Sequence, residues 1–199
     1  MFTKSLFAAA ALAFAATASN AAIVAYTPTV MEIPQPATIT NSSPADDDYI
    51  LAFNERQRYT LTADLVTDTG TILAGTVVDS HMVMYNKNGE TPLTLSQSGQ
   101  VMFSGNILGL ITLRAGLLAS DYLGAPSVYD DFVNRGLDEG KLDNVSFLGD
   151  TLDATFFVNR PGDWIRVISV AQVPVPAAGL MLLAGLGGLT ALRRRRKAA

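Results

Sequence analysis

Short runs of β-branched and aromatic residues, separated by turn residues, fill the chain between residues 58 and 172. In YTLTADLVTD, Leu61, Ala63 and Leu65 alternate with polar residues, which is the period of a strand with one buried face. Turn signals such as the NKNG of residues 86–89 recur at intervals of roughly 8–12 residues. This pattern predicts an all-β fold, an antiparallel β-sandwich or jelly-roll-like single domain, rather than a βαβ fold.

The boundaries of this domain follow from composition. Residues 22–54 are rich in Thr, Pro, Ser and Asp, and we predict an extended linker that holds at most an edge strand. Residues 55–172 are predicted to form the β-sandwich domain. Within it, residues 115–142 contain turn residues, acids and short helical signals, which predict an excursion at the edge of the domain.

The charge of the body limits its partners. The ends of the chain hold six of the 14 Lys and Arg, which leaves the body with eight cations against 18 acids, a net charge of −10. An acidic surface disfavours binding to nucleic acid or anionic lipid, which needs a basic footprint. The absence of cysteine excludes disulfides, thiolate metal sites and a cysteine nucleophile. We expect no cofactor.

The N-terminus has the three-part pattern of a secretory signal peptide. Lys4 precedes an apolar run at residues 6–16, and Ser19 and Ala21 occupy the −3 and −1 positions of an A-x-A-like cleavage site. Residues 1–21 are therefore predicted to be removed by signal peptidase, so that the mature chain starts near Ala22. The alternative, a buried N-terminal helix, would show a capped start or an amphipathic face, and neither is visible.

An uncharged run near the C-terminus, residues 177–192, is followed by a cluster of cations. As a helix it would be roughly 24 Å long, short of the roughly 30 Å core of a bilayer. The positive-inside rule keeps the flanking basic tail, residues 193–197, in the cytoplasm. We predict a short transmembrane helix that anchors the chain transiently in the inner membrane; a permanent single-pass anchor is the alternative. The cations are Arg193, Arg194, Arg195, Arg196 and Lys197.

The last 27 residues or so resemble a VPLPA-CTERM sorting domain, a variant of the PEP-CTERM signals on exported proteins of Gram-negative bacteria. The resemblance rests on a proline motif, the Gly-rich apolar run and the arginine cluster. It departs from the family at Val175, where leucine is usual. The motif residues are Val173, Pro174, Val175, Pro176 and Ala177.

This resemblance implies that an exosortase-type membrane peptidase cuts near the motif and removes the helix and the tail. The protein would then reach the cell surface or the extracellular matrix, where exopolysaccharide is the expected partner. The body, roughly residues 55–170, is similar to a recurrent β-rich PEP-CTERM type, and that similarity implies no catalytic residue.

Asp79-Ser80-His81 contains the residue types of a hydrolase triad. Adjacent residues in a strand point to opposite faces, so this geometry is wrong for catalysis. A hydrolase would need Asp79 and His81 to converge with a distant Ser or Thr. We favour a structural hydrogen bond or a surface position for His81, and we assign no catalytic residue.

The sequence offers two other candidate sites, a calcium site and a sugar-binding face. Three acidic clusters, at residues 46–48, 130–131 and 138–139, could supply oxygen ligands to Ca²⁺, but none fits a known calcium loop, and we assign no metal site. Tyr122, Tyr129 and Phe132 would form either a sugar-stacking face or core packing.

We therefore expect an exported structural or adhesive protein without catalytic activity. The alternative is a secreted carbohydrate- or Ca²⁺-binding module with its site in residues 115–142, and an exported hydrolase is less favoured.

Overall fold

The computed structural model describes residues 22–88, 95–132, 135–137, 142–158 and 162–172, and all of these fall within one compact unit. These residues form fourteen strands, one α-helix and one 3₁₀ helix. In chain order the elements are β1 (Ile23–Tyr26), β2 (Val30–Glu32), β3 (Thr38–Ile39), β4 (Ile50–Asn54), β5 (Tyr59–Thr60), β6 (Leu65–Thr67), β7 (Gly70–Ile72), β8 (Val77–Tyr85), β9 (Leu95–Phe103), β10 (Ile107–Ile111), α1 (Arg114–Ala119), a 3₁₀ helix (Asp121–Gly124), β11 (Val128–Tyr129), β12 (Asn144–Leu148), β13 (Thr151–Val158) and β14 (Asp163–Val170).

Strands dominate this structure, so the prediction of an all-β fold is confirmed. A four-stranded sheet has the order β1-β9-β13-β12, and a larger sheet has the order β10-β14-β8-β4-β2, with β5 also paired to β8. The strand pairs in these two sheets are antiparallel, except that β2 runs parallel to β4.

Both sheets contribute to one hydrophobic cluster, which lies between them. In β13 the inward residues are buried and alternate with more exposed residues, as expected for a strand with one face towards solvent. The buried residues are Leu152, Ala154, Phe156 and Val158. From the larger sheet, β4, β8, β10 and β14 add apolar side chains to the same cluster.

The opposite face of the larger sheet is also covered, and a second hydrophobic cluster lies there. Because both faces of β8 and β14 are covered, buried residues follow one another along these strands instead of alternating with exposed ones. Part of the cover comes from the 115–142 segment, whose Leu117 and Leu123 are fully buried in this cluster. The segment predicted as an excursion at the edge of the domain therefore contributes buried residues to the core in its described part.

The structure of residues 22–54 differs from the predicted extended linker. This segment supplies four strands, and residues 50–53 of β4 are buried within the larger sheet. β1 and β2 lie at the edges of their respective sheets. The prolines at positions 28, 34, 36 and 44 fall between the strands, so they interrupt the sequence pattern without breaking any ladder.

Within the described ranges, no helix is long and apolar enough to cross a membrane. The predicted signal peptide, residues 1–21, and the predicted sorting signal, residues 173–199, lie outside those ranges.

Candidate functional site

The residues predicted to direct processing all lie outside the described part of the chain. They are Ser19, Ala21, Val173, Pro174, Val175, Pro176, Ala177, Arg193, Arg194, Arg195 and Arg196. The structure does describe the two residues that flank them, Ala22 and Gln172, and these define where the predicted cleavage regions join the body.

Ala22 and Gln172 meet at one turn, between β9 and β10. The backbone N–H of Ala22 donates to Ser104 Oγ over 3.1 Å, and the Ser104 N–H donates to the Ala22 carbonyl over 3.0 Å. From the other end of the chain, Gln172 Nε2 donates to the Ser104 carbonyl over 2.7 Å. Both predicted cleavage regions therefore adjoin the same end of the body.

A glycine allows this close approach. A Cβ atom on Gly105 would lie 2.0 Å from the carbonyl oxygen of Val170, at the end of β14. Only a residue without a side chain fits there, because real Cβ atoms do not come so close to backbone oxygen. The Val170 N–H also donates to the Asn106 carbonyl over 2.9 Å, which ties the end of β14 to the turn.

Asp79, Ser80 and His81 do not form a triad among themselves. The Ser80 hydroxyl donates to Glu55 Oε2 over 2.5 Å, on the face of β8 that carries the second hydrophobic cluster. Asp79 accepts a hydrogen bond from the Arg58 backbone N–H over 2.6 Å. Burial raises the pKa of Asp79, and hydrogen bonds from the backbone of Arg58 and Gln172 oppose that effect.

His81 instead lies between two residues from neighbouring strands. Its Nδ1 is 2.7 Å from Asn54 Oδ1 in β4, and its Nε2 is 3.0 Å from Ser169 Oγ in β14. Burial lowers the pKa of His81 to about 3, so the ring is neutral at pH 7. The neutral tautomer that donates from Nδ1 to Asn54 accepts at Nε2 from the Ser169 hydroxyl.

This serine–histidine–asparagine connectivity has the hydrogen bonds of a nucleophile and its base. His81 and Ser169 are nevertheless fully buried, and the His81 ring packs against Phe103 with centroids 4.4 Å apart. Neither residue lines the groove beside the 115–142 segment or the three shallower hollows on the described surface. In this conformation both ring nitrogens of the buried imidazole have hydrogen-bond partners.

A buried arginine lies on the other face of the larger sheet. Arg166 forms a bidentate pair with Glu55, with Nε to Oε2 at 2.8 Å and Nη2 to Oε1 at 2.9 Å, and both side chains are inaccessible to solvent. Arg166 Nη1 donates to Ser120 Oγ over 2.7 Å and to the Leu117 carbonyl over 3.1 Å. The pair therefore joins β14 to the segment that covers the sheet.

The charges in this pair stabilise each other. Burial would raise the pKa of Glu55, but the Arg166 charge and hydrogen bonds from Arg166, Ser80 and Tyr129 outweigh it and hold the pKa below its usual range. Burial opposes the charged form of Arg166, and the Glu55 carboxylate more than compensates, so the pKa of Arg166 is raised. The Tyr129 hydroxyl donates to Glu55 Oε1, and its pKa is raised by burial and by that carboxylate.

A second buried arginine extends this network. Arg135 pairs with Asp121 through both terminal nitrogens, and its guanidinium lies 5.0 Å from the Tyr129 ring centroid and 5.3 Å from that of Trp164. Tyr129 and Phe132 both pack edge-on against Trp164. These two aromatic residues therefore belong to core packing, and they do not form a sugar-stacking face with Tyr122.

Tyr122 lies apart from them, in a groove of about 560 Å³ beside the 115–142 segment. Its ring is 41% exposed and lies 5.7 Å from that of Tyr59. Two carboxylates line the groove: Asp64 accepts from the Ala74 N–H over 2.8 Å, and Asp68 accepts from the N–H and hydroxyl of Thr112. Aromatic rings beside carboxylates are chemically suited to a sugar ring with its hydroxyl groups.

The acidic clusters serve turns and ion pairs where they are described. Asp46 Oδ1 accepts from the N–H groups of Asp48 and Tyr49, and Asp131 pairs with Arg114 over 2.5 Å on the surface. Residues 138–139 lie outside the described ranges. Among the residues that the structure describes, no three acids or histidines come together as a metal site.

Comparison of the chain with models of protein families, with curated proteins and with solved structures found no match.

Proposed function

We propose that this chain is an exported, exosortase-sorted protein with a structural or adhesive role at the cell surface or in the extracellular matrix. In this proposal the body is an antiparallel β-sandwich of the jelly-roll kind. Signal peptidase cuts after Ala21, and an exosortase-type membrane peptidase cuts within residues 173–177, after a transient stay in the inner membrane.

The observation that carries the proposal is the junction of the two chain ends at Ser104. β1 begins at Ile23, just after the first predicted cut, and β14 ends at Val170, just before the sorting motif. Both cuts would therefore leave every described strand intact. The hydrogen bonds from Ala22 and Gln172 to Ser104 would hold the two new ends in place.

The polar groups inside the body support a structural role. The imidazole of His81 and the guanidinium of Arg166 are both fully buried and both hydrogen-bonded to residues of other strands or of the covering segment. Such groups specify how the elements pack together, and neither faces a described hollow.

The groove beside Tyr122 favours a second candidate, a carbohydrate-binding module. Ligand binding to this groove would raise the melting temperature by mass action, and Tyr122→Ala would abolish the rise. A melting temperature unchanged by a panel of neutral and acidic polysaccharides would remove this candidate.

The sorting motif gives the test of the first candidate. We expect the double variant Pro174→Ala/Pro176→Ala to stay in the membrane fraction with its basic tail, because the prolines hold the motif extended for a peptidase cleft. Fractionation followed by mass spectrometry measures this. The matched control is Pro34→Ala/Pro36→Ala, in the linker between β2 and β3, and it should be released like the wild type. Equal release of both variants would contradict the role of the motif.

A further inference from the structure

The end of the body at which the chain ends meet is continuous across both sheets, and we call it the terminal pole. It consists of the turn at residues 104–106, the turn at residues 149–150 and the adjoining ends of β1, β8 and β14. Backbone hydrogen bonds join these parts: Ile107 N–H to the Gly149 carbonyl, and Ala171 N–H to the Val77 carbonyl.

The terminal pole exposes apolar side chains. Met102, Thr151 and Leu148 form one cross-strand row at this end of the four-stranded sheet. Val24 at the start of β1 lies beside that row. The larger sheet adds Val170 and Val77, where the end of β14 pairs with the start of β8. The exposed apolar residues of this pole, 39–86% accessible, are Val24, Val77, Met102, Leu148 and Val170.

Several acids lie at the opposite end of the strands, whereas Asp150 lies in a turn of the pole and Asp153 lies near the start of β13. Asp47 accepts from the Asn88 N–H over 2.6 Å, and the Tyr85 hydroxyl at the end of β8 donates to the Asp47 carbonyl. Asp48 is tied to the start of β9 through its carbonyl, and Asp143 accepts from the Phe157 N–H near the end of β13. We call the end that carries residues 46–48 and 143 the acidic end.

We propose that the terminal pole rests on the surface of a lipid bilayer while the chain is tethered, with the acidic end turned away. This inference rests on the proposed function, because it needs the tail to be membrane-anchored. Four residues separate Gln172 from the predicted span at Ala177, and five peptide steps reach at most about 17 Å. That tether is attached at the pole itself, so the apolar side chains there are the part of the body nearest to the bilayer.

Electrostatics favours the same orientation. A bilayer with anionic lipids repels carboxylates, and the repulsion decays over a Debye length of roughly 8–10 Å. The net charge of the body opposes contact with such a surface only where its acids face it. With residues 46–48 at the far end, the apolar pole can approach while those acids stay beyond the screening distance.

The test uses the absence of cysteine, which makes any introduced cysteine unique. Leu142 lies just before β12 and Leu148 is its last residue; they are 72% and 86% exposed, so they form a matched pair at the two ends of this strand. Each single variant, Leu148→Cys or Leu142→Cys, is made in the full-length chain and labelled with a fluorophore. The chain is then inserted into vesicles of phosphatidylethanolamine and phosphatidylglycerol that contain a spin-labelled quencher lipid.

We expect the Leu148→Cys label to be quenched several-fold more strongly than the Leu142→Cys label. Adding Met102→Asp should reduce that difference, whereas Val66→Asp, at an exposed valine in β6, should not. Equal quenching of the two labels in inserted chains would overturn this inference and leave the proposed sorting standing. A chain that does not float with the vesicles would contradict the tail anchor itself, and the inference with it.

Discussion

Replacing Arg166 with methionine is expected to lower the free energy of unfolding by about 3–5 kcal/mol, the usual cost of removing one partner of a buried ion pair. The variant leaves the Glu55 carboxylate buried, with hydrogen bonds only from Ser80 and Tyr129 among the described residues. It also removes the donors to Ser120 and to the Leu117 carbonyl, which join the covering segment to β14. Urea denaturation followed by circular dichroism measures the change.

The chain offers a matched control in Arg114, which pairs with Asp131 on the surface. Arg114→Met should cost less than about 1 kcal/mol, because solvent screens an exposed pair. The double variant Glu55→Leu/Arg166→Met should recover part of the stability lost in Arg166→Met, since no unpaired charge stays buried. An Arg166→Met variant no less stable than Arg114→Met would contradict the burial of this pair.

Acid should destabilise the body through its single histidine. The pKa of His81 is about 3 in the folded chain, against about 6.5 in an unfolded one, so only the unfolded chain takes up this proton between those values. The part of the stability that depends on the neutral His81 is therefore fully present well above pH 6.5, and it falls as the pH drops towards 3. At pH 5 the expected loss from His81 is about 2 kcal/mol relative to pH 7.5.

Urea denaturation at a series of pH values measures this loss. Comparison with His81→Gln isolates the histidine, because the raised pKa of the buried Asp79 acts in the opposite direction as the pH falls. The chain has no other histidine, and the lowered pKa of Glu55 makes its contribution fall away only at more acidic pH. His81→Gln should remove this loss, whatever its effect on stability at pH 7.5. A wild-type protein with the same pH dependence as His81→Gln would show that His81 is accessible to protons in the folded state.

The strands were predictable where the alternation was clean. The runs DNVSFLG, TLDATFFVN and GDWIRVISVAQV predict the last three strands, and the structure places β12, β13 and β14 there. β4 was not predicted, because its four buried residues, 50–53, directly follow a stretch of Pro, Ser and Asp. The burial of Leu117 and Leu123 in the 115–142 segment was also missed. Composition marks this segment as loop-like, whereas the burial of these residues depends on a second apolar face of the larger sheet.

The partners of the buried polar groups could not be predicted, because they come from distant parts of the chain. Glu55 and Arg166 are 111 residues apart, and His81 is 88 residues from Ser169. Each charge looks solvated in the sequence, since nothing local shows that it is buried. The prediction that Ser80 and His81 face opposite sides of a strand was confirmed, because it needs only the two-residue period of a strand.

The meeting of the chain ends at Ser104 also depends on topology. A processing signal is predicted at each end from the sequence, but only the pairing of β1 with β9 and of β14 with β10 brings Ala22 and Gln172 to one turn. Because the two chain ends meet, the predicted tether and both predicted cuts lie at the same pole of the body.

The most direct test of the proposed sorting is the intact mass of the protein recovered from outside the cell. We expect a mass that lacks residues 1–21 and the apolar run and basic tail that follow the proline motif. A recovered mass that still includes Arg193–Arg196 would contradict sorting and leave a plain membrane anchor.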